Sequence, residues 1–325
     1  MNNSFLNPEI FSDELEFEPN RKGFGEGLLE AGKADESIVA LSADLVESTQ
    51  VEPFAKAFPE RFIEIGVAEQ NLVTLASGLA AVGKKPFTTS YASFSPGRNW
   101  EQIRTTACLN DRNVKIVGCH AGVSVGPDGA THQMLEDIAL MRSLPNMVVV
   151  VPCDSIEARK ATMALAKTKG PAYLRLAREK TAVITHEKTP FEIGKAQILM
   201  PGKDISLIAA GPLVYEALKA AHELDKAGIS AEVINCATIK PLDHQTLLKS
   251  ATKTRAVITI EEAQINGGLG GAVAEMLSEN LPTKLVRIGV RDRFGQSGTI
   301  EQLWHEYKLD SSSIYKSAKK LFKEK

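Results

Sequence analysis

The stretch NVKIVGCHAGVSVGPDGATHQMLEDIALMRSLPNMVVVVPCD, residues 113–154, decides the fold class of this chain. It opens with a β-branched run (113–120), continues through a glycine-rich loop and a helix predicted from about Gln133 to Arg142, and ends in a second β-branched run (146–154). Near-continuous apolar strands separated by helices are typical of a parallel sheet that is covered on both faces. The stretch therefore predicts one unit of a doubly wound α/β fold.

The same alternation of strands and helices extends in both directions along the chain. Further apolar, β-branched runs occur at 37–44, 172–177, 205–211, 230–236, 255–262 and 284–290. The polar stretch 178–196 has no sustained period and carries Pro190, so it is interpreted as a linker. We therefore expect two doubly wound α/β domains, a first at 20–185 and a smaller second at 192–325.

Composition narrows the classes of function. The 325 residues are 43% hydrophobic and 24% charged, which is the profile of a soluble globular protein. A net charge of -2 gives no field that favours nucleic acid or an anionic membrane, so neither is expected as a partner. Four dispersed cysteines indicate no disulfide framework and no structural zinc, and favour a reducing, cytoplasmic location. The acidic N-terminus lacks an uninterrupted apolar run, so we expect a frayed lead-in rather than a signal peptide.

Glu69 stands at the start of a predicted helix in IEIGVAEQNLVTLASGLAAVGKKP (63–86), a segment rich in small residues and suited to burial. One interpretation is a carboxylate that satisfies the amides of the first helical turn. A buried carboxylate, however, costs on the order of several kcal/mol unless it is paired or protonated. A hydrogen-bonded ligand nitrogen would remove that cost.

Polar groups also follow the predicted strands, where ligands of parallel sheets collect. Tyr91 and Phe94 precede a turn and are either core residues or a stacking wall for a flat heterocycle. His120, Asp128 and His132 share a glycine-rich loop, and their His-x7-Asp-x3-His spacing matches no common metal site. A hydroxyl-rich substrate suits these residue types better. Four cationic or hydroxyl groups could together hold a phosphate: Arg21, Ser48, His120 and Arg178.

Two glycine-rich stretches are discounted as nucleotide-binding motifs. NGGLGGAVAEML (266–277) misses the G-x-G-x-x-G spacing, and GFGEG (23–27) precedes every predicted strand.

Taken together, several motifs resemble the C-terminal half of transketolase, in which a pyrimidine-binding domain precedes the C-terminal domain. They are RK (21–22), SADL…S (42–48), GVAEQNL (66–72), HAGVSVGPDGATHQ (120–133), LPNMVVVVPCD (144–154) and RLAR (175–178). The resemblance extends from about residue 20 to RDRFGQSGTIEQL (291–303).

The resemblance implies thiamine diphosphate as cofactor and assigns roles to individual residues. Glu69 would bind N1′ of the aminopyrimidine, Tyr91 and Phe94 would stack on that ring, and Asp44 and Leu45 would lie near the cofactor and the subunit contact. Asp128 and His132 would bind sugar hydroxyls, and the set Arg21, Ser48, His120 and Arg178 would hold the sugar phosphate. His120 and His132, with Glu69, would be catalytic.

Two positions depart from the family pattern. Gly97 stands where a further aromatic is usual, and Ala121 replaces an aspartate. Both leave the preferred donor sugar open.

The sequence also lacks the G-D-G motif and following Asn that hold Mg²⁺ and the diphosphate in this family. No metal ligands are therefore expected in this chain. A second, N-terminal subunit is expected to supply that domain, in an α2β2 assembly. The implied activity is ketol transfer from a ketose phosphate to an aldose phosphate. Alternatives are a deoxyxylulose phosphate synthase-like enzyme, a 2-oxoacid dehydrogenase β subunit, and a non-catalytic scaffold.

Overall fold

The structure is a computed structural model that describes residues 5–325. Its strands are β1 (Phe17–Pro19), β2 (Ile38–Ser42), β3 (Phe62–Glu64), β4 (Lys85–Tyr91), β5 (Lys115–Cys119), β6 (Val148–Val150), β7 (Ala172–Arg175), β8 (Lys180–Ala182), β9 (Gln197–Met200), β10 (Ile205–Ala209), β11 (Ala231–Asn235), β12 (Thr238–Lys240), β13 (Ala256–Gln264) and β14 (Lys284–Val290). Its helices are α1 (Asn20–Ala34), α2 (Glu52–Ala57), α3 (Glu69–Ala81), α4 (Trp100–Gln102), α5 (Asp137–Arg142), α6 (Ser155–Lys167), α7 (Leu213–Lys226), α8 (His244–Thr254), α9 (Leu269–Asn280), α10 (Ile300–Glu306) and α11 (Ser311–Lys323). Short 3₁₀ segments occur at Pro59–Arg61 and Val123–Thr131, and a π-helical turn occurs at Ile103–Cys108.

The first domain is built on a seven-stranded sheet in the order β12-β6-β7-β5-β4-β2-β3. All neighbouring pairs are parallel except β12, which runs antiparallel along the edge at β6. Every residue of β2 and β5 is buried, because helices cover both faces of the sheet. This explains the near-continuous apolar runs in the sequence.

The second domain holds a five-stranded sheet in the order β14-β13-β10-β11-β9, parallel except for β9 at one edge. The predicted fold class, two α/β domains with parallel sheets, is confirmed. The two domains also share structure, since β12 comes from the second half of the chain and extends the first sheet. In the part of the chain that the structure describes, no helix is both long and apolar enough to cross a membrane.

The prediction of a frayed N-terminal lead-in is wrong for the described residues 5–19. Ile10 and Leu15 are buried in the core of the second domain, and the Asn7 backbone N–H donates to the Ile184 carbonyl at 2.9 Å. Strand β1 then pairs antiparallel with β8. Apolar side chains spaced through an acidic stretch anchor it without forming a continuous run. Residues 1–4 lie outside the described part of the chain.

Two other local predictions need correction. The linker 178–196 is not structureless, because it contains β8 and the buried residues Val183 and Ile184. The helix expected from about Gln133 begins only at Asp137. Met134 forms a parallel bridge with Ala121, and its carbonyl accepts from the Gly122 N–H at 2.8 Å. Because its backbone pairs with the preceding loop, Met134 is not part of the helix.

Candidate active site

The carboxyl ends of four neighbouring parallel strands bring the predicted site residues to one edge of the first sheet. Asp44 follows β2, Tyr91 ends β4, His120 follows β5 and Arg178 follows β7. These strands are adjacent in the order β7-β5-β4-β2. The edge is where an open α/β sheet places its ligands.

Glu69 begins α3 and is only 5% exposed. Its Oε1 accepts a hydrogen bond from Ser90 Oγ at 3.4 Å, which is the outer limit for such a bond. Within residues 5–325 this is the one hydrogen bond made to the carboxylate. The backbone carbonyl of Glu69 accepts from Asn99 Nδ2 at 2.8 Å, which fixes the helix start to the loop after β4. The carboxylate is therefore held in place, buried, and left with unused capacity to accept a donor.

The burial expected for the whole of α3 holds for one face only. Leu72, Val73 and Ala76 point into the core, whereas Val82, at the helix end, is 77% exposed. Leu75 is also exposed on this outer side, and open space surrounds the position of a Cβ at Gly78. An apolar surface therefore runs along the outside of the helix that Glu69 begins.

Four rings cluster in the segments that follow β4 and β5. The Tyr91 ring stacks against His120 at 3.9 Å between centroids, and against Phe94 at 6.2 Å. His132 meets the edge of Phe94 at 5.6 Å. The Tyr91 hydroxyl lies 2.6 Å from Ser48 Oγ, so the ring is fixed at both ends. His120 therefore covers one face of Tyr91, and both Tyr91 and Phe94 are half-buried.

His120 lies among cationic side chains. It is 3% exposed, adopts a positive φ of 57°, and its buried Nδ1 has no hydrogen-bond partner among the described residues. Burial, together with the charges of Arg21, Arg178 and His132, lowers the pKa of His120 to about 3. The imidazole is therefore neutral near pH 7 and lies in a positive electrostatic field. Such a field favours the binding of an anion.

The two arginines of this cluster are positioned by backbone oxygens. Arg21 Nη1 donates to the Ser48 carbonyl at 2.6 Å. Arg178 Nη1 donates to the Val125 carbonyl at 2.8 Å and pairs with Asp128 Oδ1 at 3.2 Å. Asp128 therefore borders the cationic cluster and partly offsets the charge of Arg178.

The loop at 121–132 requires glycine at its bends. Gly122, Gly126 and Gly129 have φ values of 88°, 79° and 71°, a region that other residues rarely adopt. The loop is tied to the segment after β4 because Ser93 Oγ donates to the His132 carbonyl at 2.6 Å. His120, Asp128 and His132 thus belong to one constrained element.

A cleft of about 610 Å³ opens beside Arg21 and is lined by Arg21, Asp44, Leu45, Val46, Glu47, Ser48 and Gln50. Asp44 has a positive φ of 59°, and its N–H donates to Glu64 Oε1 at 2.8 Å, which holds the turn that forms the wall. The described residues contain no group of three or more His, Cys, Asp or Glu side chains that could hold a metal ion.

The sequence interpretation missed one buried acid beneath this loop. Glu262, on β13 of the second domain, accepts hydrogen bonds from Ser124 in the loop. The available signal was the pair of glutamates, Glu261 and Glu262, that ends an otherwise apolar run.

The fold and the clustered groups define a two-domain α/β protein with a ligand site at the strand ends of its first sheet. Comparison with known proteins identifies the family to which this fold and site belong. The sequence profile "Transketolase, pyrimidine binding domain" matches residues 19–183, and "Transketolase, C-terminal domain" matches residues 194–314.

Relatives of similar length support the same assignment. The chain is 49% identical over 299 residues to "Putative transketolase C-terminal section" of Methanocaldococcus jannaschii, covering 91% of this chain and 94% of that protein. It is 41% identical over 308 residues to "6-deoxy-6-sulfo-D-fructose transketolase subunit SqwH" of Clostridium sp. strain MSTE9, covering 95% and 96%.

Among solved structures, "Split gene transketolase, inactive beta4 tetramer" superposes with a TM-score of 0.88 at 43% identity, covering 94% of this chain and 98% of the other. The chain belongs to the transketolase family and contains its pyrimidine-binding and C-terminal domains.

Proposed function

We propose that this chain is the C-terminal subunit of a two-subunit transketolase, which moves a two-carbon ketol unit from a ketose phosphate to an aldose phosphate. Transketolase-family enzymes in general depend on thiamine diphosphate. The observation that carries the proposal is the buried Glu69 carboxylate, whose one weak donor, Ser90, lies on β4 next to Tyr91 of the ring cluster. A buried acid in this state suits a ligand nitrogen better than it suits a purely structural role.

In this proposal Glu69 shares a proton with N1′ of the cofactor's aminopyrimidine. When bound, the cofactor supplies the nucleophilic carbon that takes up the two-carbon unit. Phe94 offers its ring to the pyrimidine, and Tyr91 supports it from the adjacent position. Asp44 and Leu45 line the cleft near the cofactor and the subunit contact.

The cationic cluster is the proposed binding site for the sugar phosphate. Its members are Arg21, Ser48, His120 and Arg178. Charge-assisted hydrogen bonds from the two arginines hold the phosphate oxygens, and His120, neutral in the absence of an anion, adds a further hydrogen bond. Asp128 and His132 bind sugar hydroxyls, and His120 and His132 hold or move protons at those oxygens.

A partner subunit is proposed to carry the diphosphate-binding domain and Mg²⁺, in an α2β2 assembly. The similar proteins include a "C-terminal section", a "subunit" and a "split gene" product, which supports a separate partner. The exposed apolar side of α3 supports a protein contact beside Glu69. Val67, just before the helix, is 78% exposed. A cytoplasmic location, suggested by four free and buried cysteines, is part of the same proposal.

Reconstitution tests this proposal. The purified chain, mixed with the N-terminal transketolase subunit of the same organism, Mg²⁺ and thiamine diphosphate, should transfer a ketol unit from xylulose 5-phosphate to ribose 5-phosphate. The chain alone should neither bind the cofactor tightly in calorimetry nor turn over. Tight binding and turnover by the chain alone would contradict the need for a partner. Consumption of pyruvate, with or without an electron acceptor, in place of ketol transfer would favour one of the enzyme alternatives.

Glu69→Gln separates an enzyme from a scaffold. The variant keeps the shape of the side chain, so assembly with the partner should be unchanged while turnover falls. Glu101→Gln, an exposed glutamate on α4, is the matched control and should behave as the wild type. Full activity of Glu69→Gln would favour the scaffold.

A further inference from the structure

The glycine-rich loop of the candidate site rests on a buried carboxylate from the other domain. Glu262 is 1% exposed on β13, and its Oε1 accepts from Ser124 Oγ at 3.0 Å while its Oε2 accepts from the Ser124 N–H at 3.2 Å. A Cβ added at Gly122 would lie 2.5 Å from Glu262 Cδ. The loop backbone therefore passes directly over this carboxylate.

Glu262 is itself held by its surroundings. Trp304 Nε1 donates to Oε2 at 3.5 Å, and Arg175 Nη1 lies 3.8 Å from Oε1. Arg175 already has a closer acid, because its Nε donates to Asp137 Oδ2 at 2.8 Å. Arg175 therefore stabilises Glu262 through its charge, whereas the shortest hydrogen bonds of the Glu262 carboxylate go to the loop.

A second contact from the same domain fixes the far end of the loop. Gln133 Nε2 donates to the Val123 carbonyl at 3.0 Å and to the Gln296 carbonyl at 3.0 Å. A Cβ at Gly129 would lie 2.6 Å from Ser297 Oγ, so the segment around Gln296 and Ser297 packs closely on the loop. The second domain thus contacts the loop near both ends.

We propose that Glu262 is a positioning residue, which sets the loop at 121–132 and through it His120 and Asp128, so that the second domain controls the affinity for the sugar phosphate. This inference rests on the proposed function for its substrate. Burying a charged group is costly unless each of its bonds is used. A carboxylate that uses two acceptor atoms on one loop residue restricts that residue in both position and orientation.

The test compares Glu262→Gln and Ser124→Ala with the matched control Glu261→Gln in the reconstituted complex. Glu261 is the neighbouring buried acid on β13, but it accepts from Leu269 N at 2.7 Å and Gly270 N at 2.8 Å, at the start of α9 in its own domain. Glu262→Gln should raise KM for xylulose 5-phosphate about tenfold, with Ser124→Ala intermediate, while kcat and the KM for thiamine diphosphate change less than about twofold. Glu261→Gln should leave all three constants unchanged.

Hydrogen exchange of the full chain, without cofactor or partner, supplies a readout that does not depend on activity. Backbone amides at 121–133 should exchange at least about fivefold faster in Glu262→Gln than in Glu261→Gln. Equal exchange in these two variants, or an unchanged KM in both Glu262→Gln and Ser124→Ala, would overturn the proposal. If Glu262→Gln does not fold, Ser124→Ala decides both measurements.

If the proposed function is wrong, the measurements give a different set of results from those expected if Glu262 does not position the loop. The wild-type complex would then show no ketol transfer, and the exchange experiment would still decide whether Glu262 holds the loop. Binding of inorganic phosphate to the full chain, followed by the His120 C2–H resonance, would decide whether the loop still serves an anion. Weaker phosphate binding in Glu262→Gln than in Glu261→Gln supports positioning, and equal binding overturns it.

Discussion

Replacing His120 with glutamine should make the stability of the chain less sensitive to acid. Burial, with the charges of Arg21, Arg178 and His132, lowers the pKa of His120 from 6.5 to about 3. In the unfolded chain the imidazole takes up a proton near pH 6.5, whereas in the folded chain it does not until the pH is far lower. The unfolded state therefore binds more protons between these values, and the stability provided by His120 is lost as the pH falls.

The expected size follows from the width of the measured interval. The range from pH 8 to pH 5 includes about 1.5 units below the unfolded pKa of about 6.5, and each of those units corresponds to about 1.4 kcal/mol, so His120 alone should account for a loss of ~2 kcal/mol. His120→Gln removes the titrating group and should reduce the loss by that amount. The variant also loses the stacking on Tyr91, which lowers stability by about 1 kcal/mol at every pH and leaves the slope unaffected.

Urea unfolding followed by circular dichroism, at one protein concentration and at pH 8, 6.5 and 5, measures this difference. The wild-type curve of unfolding free energy against pH should be steeper than that of His120→Gln, because the other titrating groups are common to both. Parallel curves would contradict the lowered pKa of His120. The His120 C2–H resonance offers an independent check, since it should not titrate above pH 5, and a midpoint near 6.5 would contradict the burial and charge argument.

Three further perturbations have defined outcomes. Burial, reinforced by repulsion from Asp154, raises the pKa of Glu157 from 4.5 to about 7, so its contribution to stability is lost as the pH rises across that interval. Glu157→Gln should therefore show a flatter stability profile than the wild type between pH 5 and 8 in urea unfolding, and identical slopes would contradict this. Gly118→Ala would place a Cβ 2.3 Å from the Tyr173 hydroxyl and should lower the unfolding free energy by about 1–3 kcal/mol. Its control is Gly78→Ala on α3, where the added Cβ meets open space and the effect should be neutral or stabilising. Equal effects of the two substitutions would contradict the close packing at Gly118. Arg178→Gln in the reconstituted complex should raise the KM for phosphorylated ketoses about tenfold or more and leave the KM for an unphosphorylated ketose unchanged. An equal rise of KM for both substrates would contradict the assignment of Arg178 to the phosphate site.

The strands of the fold were predictable where burial on both faces leaves an apolar run. Strand β4 was missed because Thr88, Thr89 and Ser90 interrupt such a run, although all three are fully buried. Their hydroxyls form hydrogen bonds with neighbouring elements of the fold; for example, Thr89 Oγ1 donates to the Leu41 carbonyl on β2 at 3.2 Å. A buried strand can therefore be half polar, which a hydrophobic pattern does not reveal.

The site was more predictable than the contacts that support it. Side chains that follow parallel strands meet at one sheet edge for topological reasons, so the grouping of Asp44, His120 and Arg178 could be inferred from the predicted strands. Tyr91 ends the missed strand β4, so its place in the site came only from the family resemblance. The contact of Glu262 with the loop joins residues 138 apart in the sequence, and no local pattern encodes such a distance. The late start of α5 also results from a contact that no local pattern encodes, because the backbone of Met134 forms a bridge with Ala121 in the preceding loop.

The most direct test of the central claim measures proton exchange at the thiazolium C2–H of thiamine diphosphate bound to the reconstituted complex, by acid quench and proton NMR. Glu69→Gln should slow this exchange by about 10²–10⁴-fold, while Glu101→Gln should exchange at the wild-type rate. A wild-type rate in Glu69→Gln, in a complex that still binds the cofactor, would contradict the role assigned to Glu69.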